Sequence, residues 1–215
     1  MTQQIPVTIV TGLPGSGKAE LLQRILSEHH GRRIALIGAT VDRSSVVDQR
    51  PRNRSQIAAV GNGCLYCSGS ANPSHILAEL RDAHKDGALQ FERVVIEADG
   101  LDPAPLAEYL FADADLGAYY MLDTIVALLD ARQALPKLQD DVEMARQLGS
   151  ADRILLTNTI PGVQQQDCIL RRRLDRMTPH AATQTISLAD APIDEVFISG
   201  IAAAPPIAEG QIQIF

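Results

Sequence analysis

Two glycines and a lysine near the N-terminus have the types and spacing of a phosphate-binding loop. Gly12 and Gly17 are separated by four residues, and Lys18 follows directly, within the segment GLPGSGKA. In such a loop, glycines let successive backbone N–H groups surround phosphate oxygens, and the lysine reaches the outer phosphates. The amides of Gly15 and Ser16 would complete this cradle. The pattern therefore predicts a P-loop that binds the phosphates of a nucleotide.

The residue after the lysine departs from the usual pattern. Ala19 stands where a Ser or Thr hydroxyl normally holds Mg²⁺, and alanine offers no oxygen ligand. Mg²⁺ requires near-octahedral oxygen geometry, and even residues that only contact metal ligands are worth about 10–100-fold in affinity. We therefore expect Ala19 to contribute only its backbone amide and Mg²⁺ binding to be weakened by at least about that order.

The sequence on both sides of the glycines favours a true P-loop over a chance match. The β-branched run VTIV precedes the loop and is long enough for a buried strand. Leu21, Leu22, Ile25 and Leu26 repeat at helical spacing directly after it. A strand, a glycine-rich turn and a helix in this order are the context that a P-loop requires.

Short β-branched runs and longer helical patterns alternate along the chain, which is typical of βα units. The pattern predicts strands over 6–11, 33–38, 93–96, 124–129, 153–156 and 182–186, and helices over 19–29, 73–86, 140–148 and 165–177, with a short helix after Pro103. We predict an α/β P-loop NTPase fold, with helices on both faces of a mostly parallel central sheet. Residues 1–189 would form this domain, and residues 190–215 an Ala/Pro-rich linker and C-terminal tail.

The composition argues against several classes of protein. A length of 215 residues suits one α/β domain, and a formal net charge of −7 gives no general attraction to nucleic acid or to anionic membranes. No apolar run approaches a membrane span, and the N-terminus lacks the basic region of a secretion signal. Three cysteines, an odd number, fit a reducing compartment. We expect a cytoplasmic protein that binds neither nucleic acid nor membrane.

Further polar groups follow a predicted strand and should meet the P-loop, since ligands bind where parallel strands end. Glu97 and Asp99 come directly after the strand predicted over 93–96. They could hold Mg²⁺ through water or orient an attacking water, while Gly100 could donate its N–H to a terminal phosphate. The alternative is an ordinary acidic strand end without a catalytic role.

Cys64 and Cys67 form a C-x-x-C pair in the segment NGCLYC. Two thiolates leave a tetrahedral Zn²⁺ site half built, so that His75 or a second subunit would have to supply the remaining ligands. The pair could equally consist of thiols that bind no metal, or take part in disulfide chemistry.

Four segments in order resemble the GTPase domain of CobW-type metallochaperones, which are relatives of UreG and HypB. They are GLPGSGKA at 12–19, NGCLYC at 62–67, EADGLDP at 97–103 and ADRILLTNTI at 151–160. The resemblance covers roughly residues 5–187, although family members usually continue into a second domain. It implies binding of GTP or another NTP with Mg²⁺, a possible Zn²⁺ at the cysteines, and a client metalloprotein or a homodimer as partner.

The same resemblance shows several departures. The second strand should lead into an N-E-F-G-like segment whose glutamate serves metal or switch chemistry, but the residues at 38–41 are GATV. Tyr66 replaces one of three family cysteines, and Asn158 and Ile160 replace the lysine and aspartate that read a guanine base. Asn158 stays a candidate nucleotide contact, whereas both residues that would select guanine are replaced.

These departures lead us to expect a nucleotide-binding protein with weak or lost hydrolysis, which if active would be a slow Mg²⁺-dependent GTPase or NTPase. The alternative is a catalytically inert pseudo-GTPase that acts as an interaction module. A small-molecule or nucleotide kinase is a third possibility.

Three further expectations concern side chains outside these motifs. Cys168 should be buried in the packing of the last helix, and the arginines at 171–173 and 176 should form a solvated face. His84 has no evident partner in the sequence.

Overall fold

Six strands form one parallel sheet in the computed structural model of the chain, which describes residues 4–27, 33–38, 73–98, 102–140, 142–159 and 164–190. The strands are β1 (Ile5–Gly12), β2 (Ile34–Ile37), β3 (Arg93–Glu97), β4 (Tyr120–Asp130), β5 (Arg153–Thr157) and β6 (Ala182–Thr185). Their order across the sheet is β2-β3-β1-β4-β5-β6, and every pair is parallel. The P-loop strand β1 therefore lies at the centre, between β3 and β4.

Seven helices accompany these strands within the described ranges. They are α1 (Lys18–Ser27), α2 (Pro73–Lys85), α3 (Pro103–Phe111), α4 (Ala114–Tyr119), α5 (Ala131–Asp140), α6 (Val142–Gly149) and α7 (Gln164–Met177). In this part of the chain, no helix is long and apolar enough to cross a membrane.

Alternate residues of the central strands pack into two separate apolar layers. On β1, Ile9 and Val10 are both fully buried but belong to different layers, because successive side chains of a strand point to opposite faces. Leu21 and Ile25 of α1 pack into the layer that contains Val10, whereas α2 to α7 contribute to the layer that contains Ile9. The predicted parallel sheet with helices on both faces is confirmed.

The structure differs from the predicted elements mainly between β3 and β5. β4 begins at Tyr120 rather than at residue 124, and two helices that the pattern did not predict, α4 and α5, flank it. α4 has only six residues, with Asp113 as its N-cap, and Pro136 lies inside α5. A proline within a helical pattern normally indicates a helix end, which explains why α5 was not predicted.

The expectations for α7 were partly wrong. Cys168 is exposed, as is Ile169, because Leu170 and Leu174 occupy the face of the helix that packs on the sheet. Arg172 and Arg176 are exposed as expected. The other two arginines bind the backbone, since Arg171 donates to the oxygen of Thr183 at 3.4 Å and Arg173 donates to that of Leu138 at 3.1 Å. These arginines tie α7 to β6 and to α5.

Truncating the two faces of α7 should have very different effects. Leu174→Ala removes a fully buried side chain and should lower the free energy of unfolding by about 2–5 kcal/mol, because it leaves a cavity. Ile169→Ala on the same helix removes a side chain that is 51% exposed and should change stability by about 0.5 kcal/mol or less. Urea unfolding of both variants measures the difference, and equal losses would contradict the assignment of the faces.

Candidate functional site

The turn from β1 into α1 has backbone geometry that requires glycine at three positions. The φ angles of Gly12, Gly15 and Gly17 are 141°, 80° and 95°, in the region that disfavours other residues. A Cβ on Gly12 would also lie 2.4 Å from the backbone oxygen of Leu128 on β4. A Cβ on Gly15 would meet open space, so this glycine lies at the mouth of the loop. The turn therefore has the form of an open P-loop cradle.

Lys18 lies within this cradle rather than in solvent. The residue is only 6% exposed, and its Nζ donates a hydrogen bond of 2.5 Å to the backbone oxygen of Gly12. Lys18 is also the first residue of α1, where the helix dipole and unpaired N–H groups favour an anion. The loop thus combines a buried cation with a helix N-terminus, which suits phosphate.

The last residue of β5, which begins the predicted base-reading segment, binds the backbone of the P-loop. Thr157 Oγ1 donates to the backbone oxygen of Ser16 at 2.9 Å, and both residues are buried. Within the described part of the chain, Ser16 Oγ is buried and has no hydrogen-bond partner. The sequence predicts that residues 157–160 lie at this edge of the sheet, because they follow a strand, but it assigns no role to the Thr157 hydroxyl.

Asn158 is held by an aspartate that sequence reasoning also missed. Asn158 has a φ of 52° and donates from Nδ2 to Asp130 Oδ2 at 3.0 Å. Asp130 ends β4 and caps α5, since its Oδ1 accepts from the amide of Arg132 at 2.9 Å, and Gln133 Nε2 donates to its Oδ2 at 3.4 Å. The spacing of Asp130 and Gln133 matches a capping box, a sequence signal that could have revealed this helix start.

The hydrogen bonds at Asp130 keep its carboxylate charged. Burial by itself would raise the pKa of Asp130, but the hydrogen bonds from Asn158 and from the backbone and side chain of Arg132 outweigh it and lower the pKa below its usual value. Asn158 therefore lies beside a fixed negative charge, and its amide orientation is determined by that acceptor.

Glu97 ends β3 and is the acidic residue beside the P-loop strand. It is 2% exposed and lies opposite Val10 of β1. On its other side, a Cβ on Gly38 would lie 2.7 Å from Glu97 Oε2, so the carboxylate lies next to the residue that follows β2. The predicted partners Asp99 and Gly100 lie outside the described residues.

A turn after β6 covers the last glycine of the P-loop, which sequence reasoning did not anticipate. A Cβ on Gly17 would lie 2.2 Å from Leu188 Cδ1, and Arg24 of α1 donates to the backbone oxygen of Leu188. The amide of Ile186 continues the sheet by donating to Leu156 at 2.9 Å. The turn is therefore fixed to both α1 and β5.

The structure does not test the predicted metal site. Cys64 and Cys67 lie outside the described residues, and the described ranges contain no cluster of three or more His, Cys, Asp or Glu side chains that could hold a metal ion. His75 pairs with Glu79 of the same helix at 3.1 Å. His84, for which no partner was expected, has one, because its Nδ1 lies 2.5 Å from the hydroxyl of Tyr119.

The site residues fit phosphate better than they fit Mg²⁺. The glycine cradle and buried Lys18 suit a polyphosphate, whereas Ala19 provides no oxygen and Glu97 is the buried carboxylate that ends the neighbouring strand β3. A central parallel strand that continues through such a loop into a helix defines the class of P-loop NTPases.

Within that class, the chain belongs to the CobW/HypB/UreG family, whose nucleotide-binding domain matches residues 6–185. It is similar to the zinc chaperone YjiA of Escherichia coli, with 38% identity over 196 residues that cover 90% of this chain and 61% of YjiA. It is also similar to the zinc-regulated GTPase metalloprotein activator 1 of Schizosaccharomyces pombe, with 30% identity over 72% of this chain and 39% of that protein.

A crystal structure of the Zn(II)-bound YjiA GTPase from Escherichia coli has a similar fold. Its TM-score is 0.70 at 32% identity, and the match covers 86% of this chain and 58% of that one. The sequence match to this chain thus covers 61% of the length of YjiA.

The charge on Asp130 should contribute to stability in a pH-dependent way. Because its pKa is lower in the folded state than the usual value of about 3.9, the carboxylate stabilises the fold above that value, and the contribution is lost as the pH falls through the folded pKa. We expect Asp130→Asn to lose about 1–2 kcal/mol at neutral pH, and the difference from the wild type to shrink below about pH 4.

Urea unfolding across this pH range measures the effect. Asp175→Asn, a change at an exposed aspartate of α7, serves as the matched control and should show a smaller difference at neutral pH. A loss for Asp130→Asn that does not depend on pH would contradict the assigned role of the charge.

Proposed function

We propose that this chain is a nucleotide-binding domain of the metal-insertion GTPase type that binds GTP or a related NTP, with weak or lost hydrolysis. The observation that carries this proposal is the position of Lys18, buried inside a cradle of three glycines with positive φ angles. A buried lysine amine is costly unless an acceptor compensates it, and polyphosphate would add several such acceptors.

Each part of the loop has a role in this proposal. The amides of Gly15, Gly17 and Ala19 would donate to phosphate oxygens, and the amide of Ser16 would join them on leaving the backbone oxygen of Leu13, to which it donates at 3.1 Å. Lys18 would release Gly12 O to neutralise the outer phosphates. The Asn158 side chain would contact the base from its position beside Asp130.

Weak hydrolysis follows from the groups that the site lacks. Phosphoryl transfer depends on positioning and charge neutralisation, and Mg²⁺, when bound, supplies much of that charge. Ala19 offers Mg²⁺ no hydroxyl, so the carboxylates of Glu97 and Asp99 would have to hold the ion through water. The amide of Gly100 would donate to the terminal phosphate. We infer that Asp99, where the family has Ser or Thr, partly replaces the lost hydroxyl.

A role in zinc handling is proposed from the relatives and from the C-x-x-C pair. YjiA is named a zinc chaperone, and Cys64 and Cys67 supply two thiolates, the softer ligands that Zn²⁺ accepts. Two further ligands would come from a client metalloprotein, from a second copy of the chain or from His75 after it leaves Glu79. The setting proposed for this activity is the cytoplasm, where thiols stay reduced.

The second candidate is a catalytically inert pseudo-GTPase that acts as an interaction module. It is favoured by the combination of Ala19, Asn158 and Ile160, which changes the Mg²⁺ ligand and the base-reading residues together. This candidate predicts either nucleotide binding without turnover or no nucleotide binding at all.

Nucleotide titration separates a nucleotide-binding domain from a module that binds no nucleotide, and phosphate release separates slow hydrolysis from none. Isothermal titration with GTP and ATP, with and without Mg²⁺, should show micromolar-class binding that depends only weakly on Mg²⁺. Ala19→Thr should strengthen the Mg²⁺-dependent part about 10-fold and raise phosphate release, because it restores an oxygen ligand. Lys18→Ala is the control and should abolish binding. A wild type that binds neither nucleotide would overturn the proposal and leave the inert module.

Zinc titration tests the proposed metal role separately. The double substitution Cys64→Ser and Cys67→Ser should reduce Zn²⁺ affinity by about 100-fold or more, since hydroxyls are far poorer zinc ligands than thiolates. Cys168→Ser, which removes an exposed thiol on α7, is the matched control and should leave the affinity unchanged. Equal Zn²⁺ affinity of the double variant and the wild type would exclude a role of the C-x-x-C pair.

A further inference from the structure

The end of β2 and the end of β3 meet at a single glycine. Ile37 lies opposite Ile96 in the parallel register, which places Gly38 beside Glu97. A Cβ on Gly38 would lie 2.7 Å from Glu97 Oε2 and 3.0 Å from Glu97 Cβ. The carboxylate of Glu97 therefore occupies the space that a side chain at position 38 would need.

The backbone does not explain why this position is glycine. Gly38 is absent from the glycines with positive φ, which in the described ranges are Gly12, Gly15, Gly17 and Gly87, so other residues could adopt its conformation. The three atoms that a Cβ at position 38 would approach most closely all belong to the Glu97 side chain. Because Glu97 is 2% exposed, its carboxylate has little free space into which it could rotate.

We propose that Gly38 is a positioning residue that lets the buried Glu97 carboxylate lie across the end of β2, and that this pose determines how Glu97 supports Mg²⁺ at a bound nucleotide. The inference rests on the proposed function. Mg²⁺ keeps a short, near-octahedral shell, so a carboxylate displaced by even about half an ångström, whether it binds directly or through water, supports the ion less well. The residue at position 38 thus controls the metal side of the site without touching the nucleotide.

The packing contact itself is tested without any ligand. Gly38→Ala should lower the Tm by about 3–6 °C in the wild type, as expected for overpacking, but by less than about 1 °C in a Glu97→Ala background. The matched control is Gly149→Ala in α6, where an added Cβ meets nothing within 4 Å and should cause no loss. Equal losses from Gly38→Ala in both backgrounds would overturn the contact.

The positioning role is tested by the ratio of nucleotide affinities with and without Mg²⁺. Gly38→Ala should lower this ratio from its small wild-type value to about 1 while the Mg²⁺-free affinity stays unchanged, because the P-loop is not altered. Combining it with Glu97→Asp should recover the ratio at least in part, since aspartate is one methylene shorter.

An unchanged ratio in Gly38→Ala, or a wild type without Mg²⁺ dependence, would overturn the positioning role. If the wild type binds no nucleotide, the proposed function fails together with this role, whereas the ligand-free Tm measurements still decide whether Glu97 packs on Gly38. The two failures are therefore distinguishable.

Discussion

The close approach of Gly12 to the backbone of β4 is the constraint on which the site depends. A Cβ at this position would lie 2.4 Å from the oxygen of Leu128, so only glycine lets β1 turn sharply beside its neighbour. Three further contacts then hold the turn open: Lys18 on Gly12, Thr157 on Ser16, and the Leu188 side chain over the last glycine of the loop. The phosphate cradle is thus supported from β4, β5 and the turn after β6.

This support does not require a hydroxyl at position 19. The contacts that shape the cradle come from backbone atoms, the Lys18 amine, one threonine hydroxyl and one leucine. The chain can therefore keep a formed phosphate site after losing a Mg²⁺ ligand. The Glu97 carboxylate lies against Gly38, the residue that follows β2.

The pattern of residues predicted the fold correctly but not every element. The six strands of the described ranges and the helices α1, α2, α3, α6 and α7 were predicted, although β4 begins earlier than expected, since strand and helix periodicities are local signals. Pro136 concealed α5, and the short α4 carries too few residues for a period. Cys168 was wrongly expected to be buried, because the helical pattern alone does not show which face meets the sheet.

The sequence by itself determined the strand, loop and helix of the P-loop, because glycine spacing and apolar periodicity act over a few neighbouring residues. Only the tertiary structure decided that Thr157 holds Ser16, that Asp130 holds Asn158 and that Glu97 packs against Gly38. Each of these pairs joins strands or loops that are distant in the chain. The physical reason is the strand order β2-β3-β1-β4-β5-β6, which places β1 between β3 and β4, two strands that come much later in the chain. Because all strands are parallel, their carboxyl ends lie at one edge of the sheet.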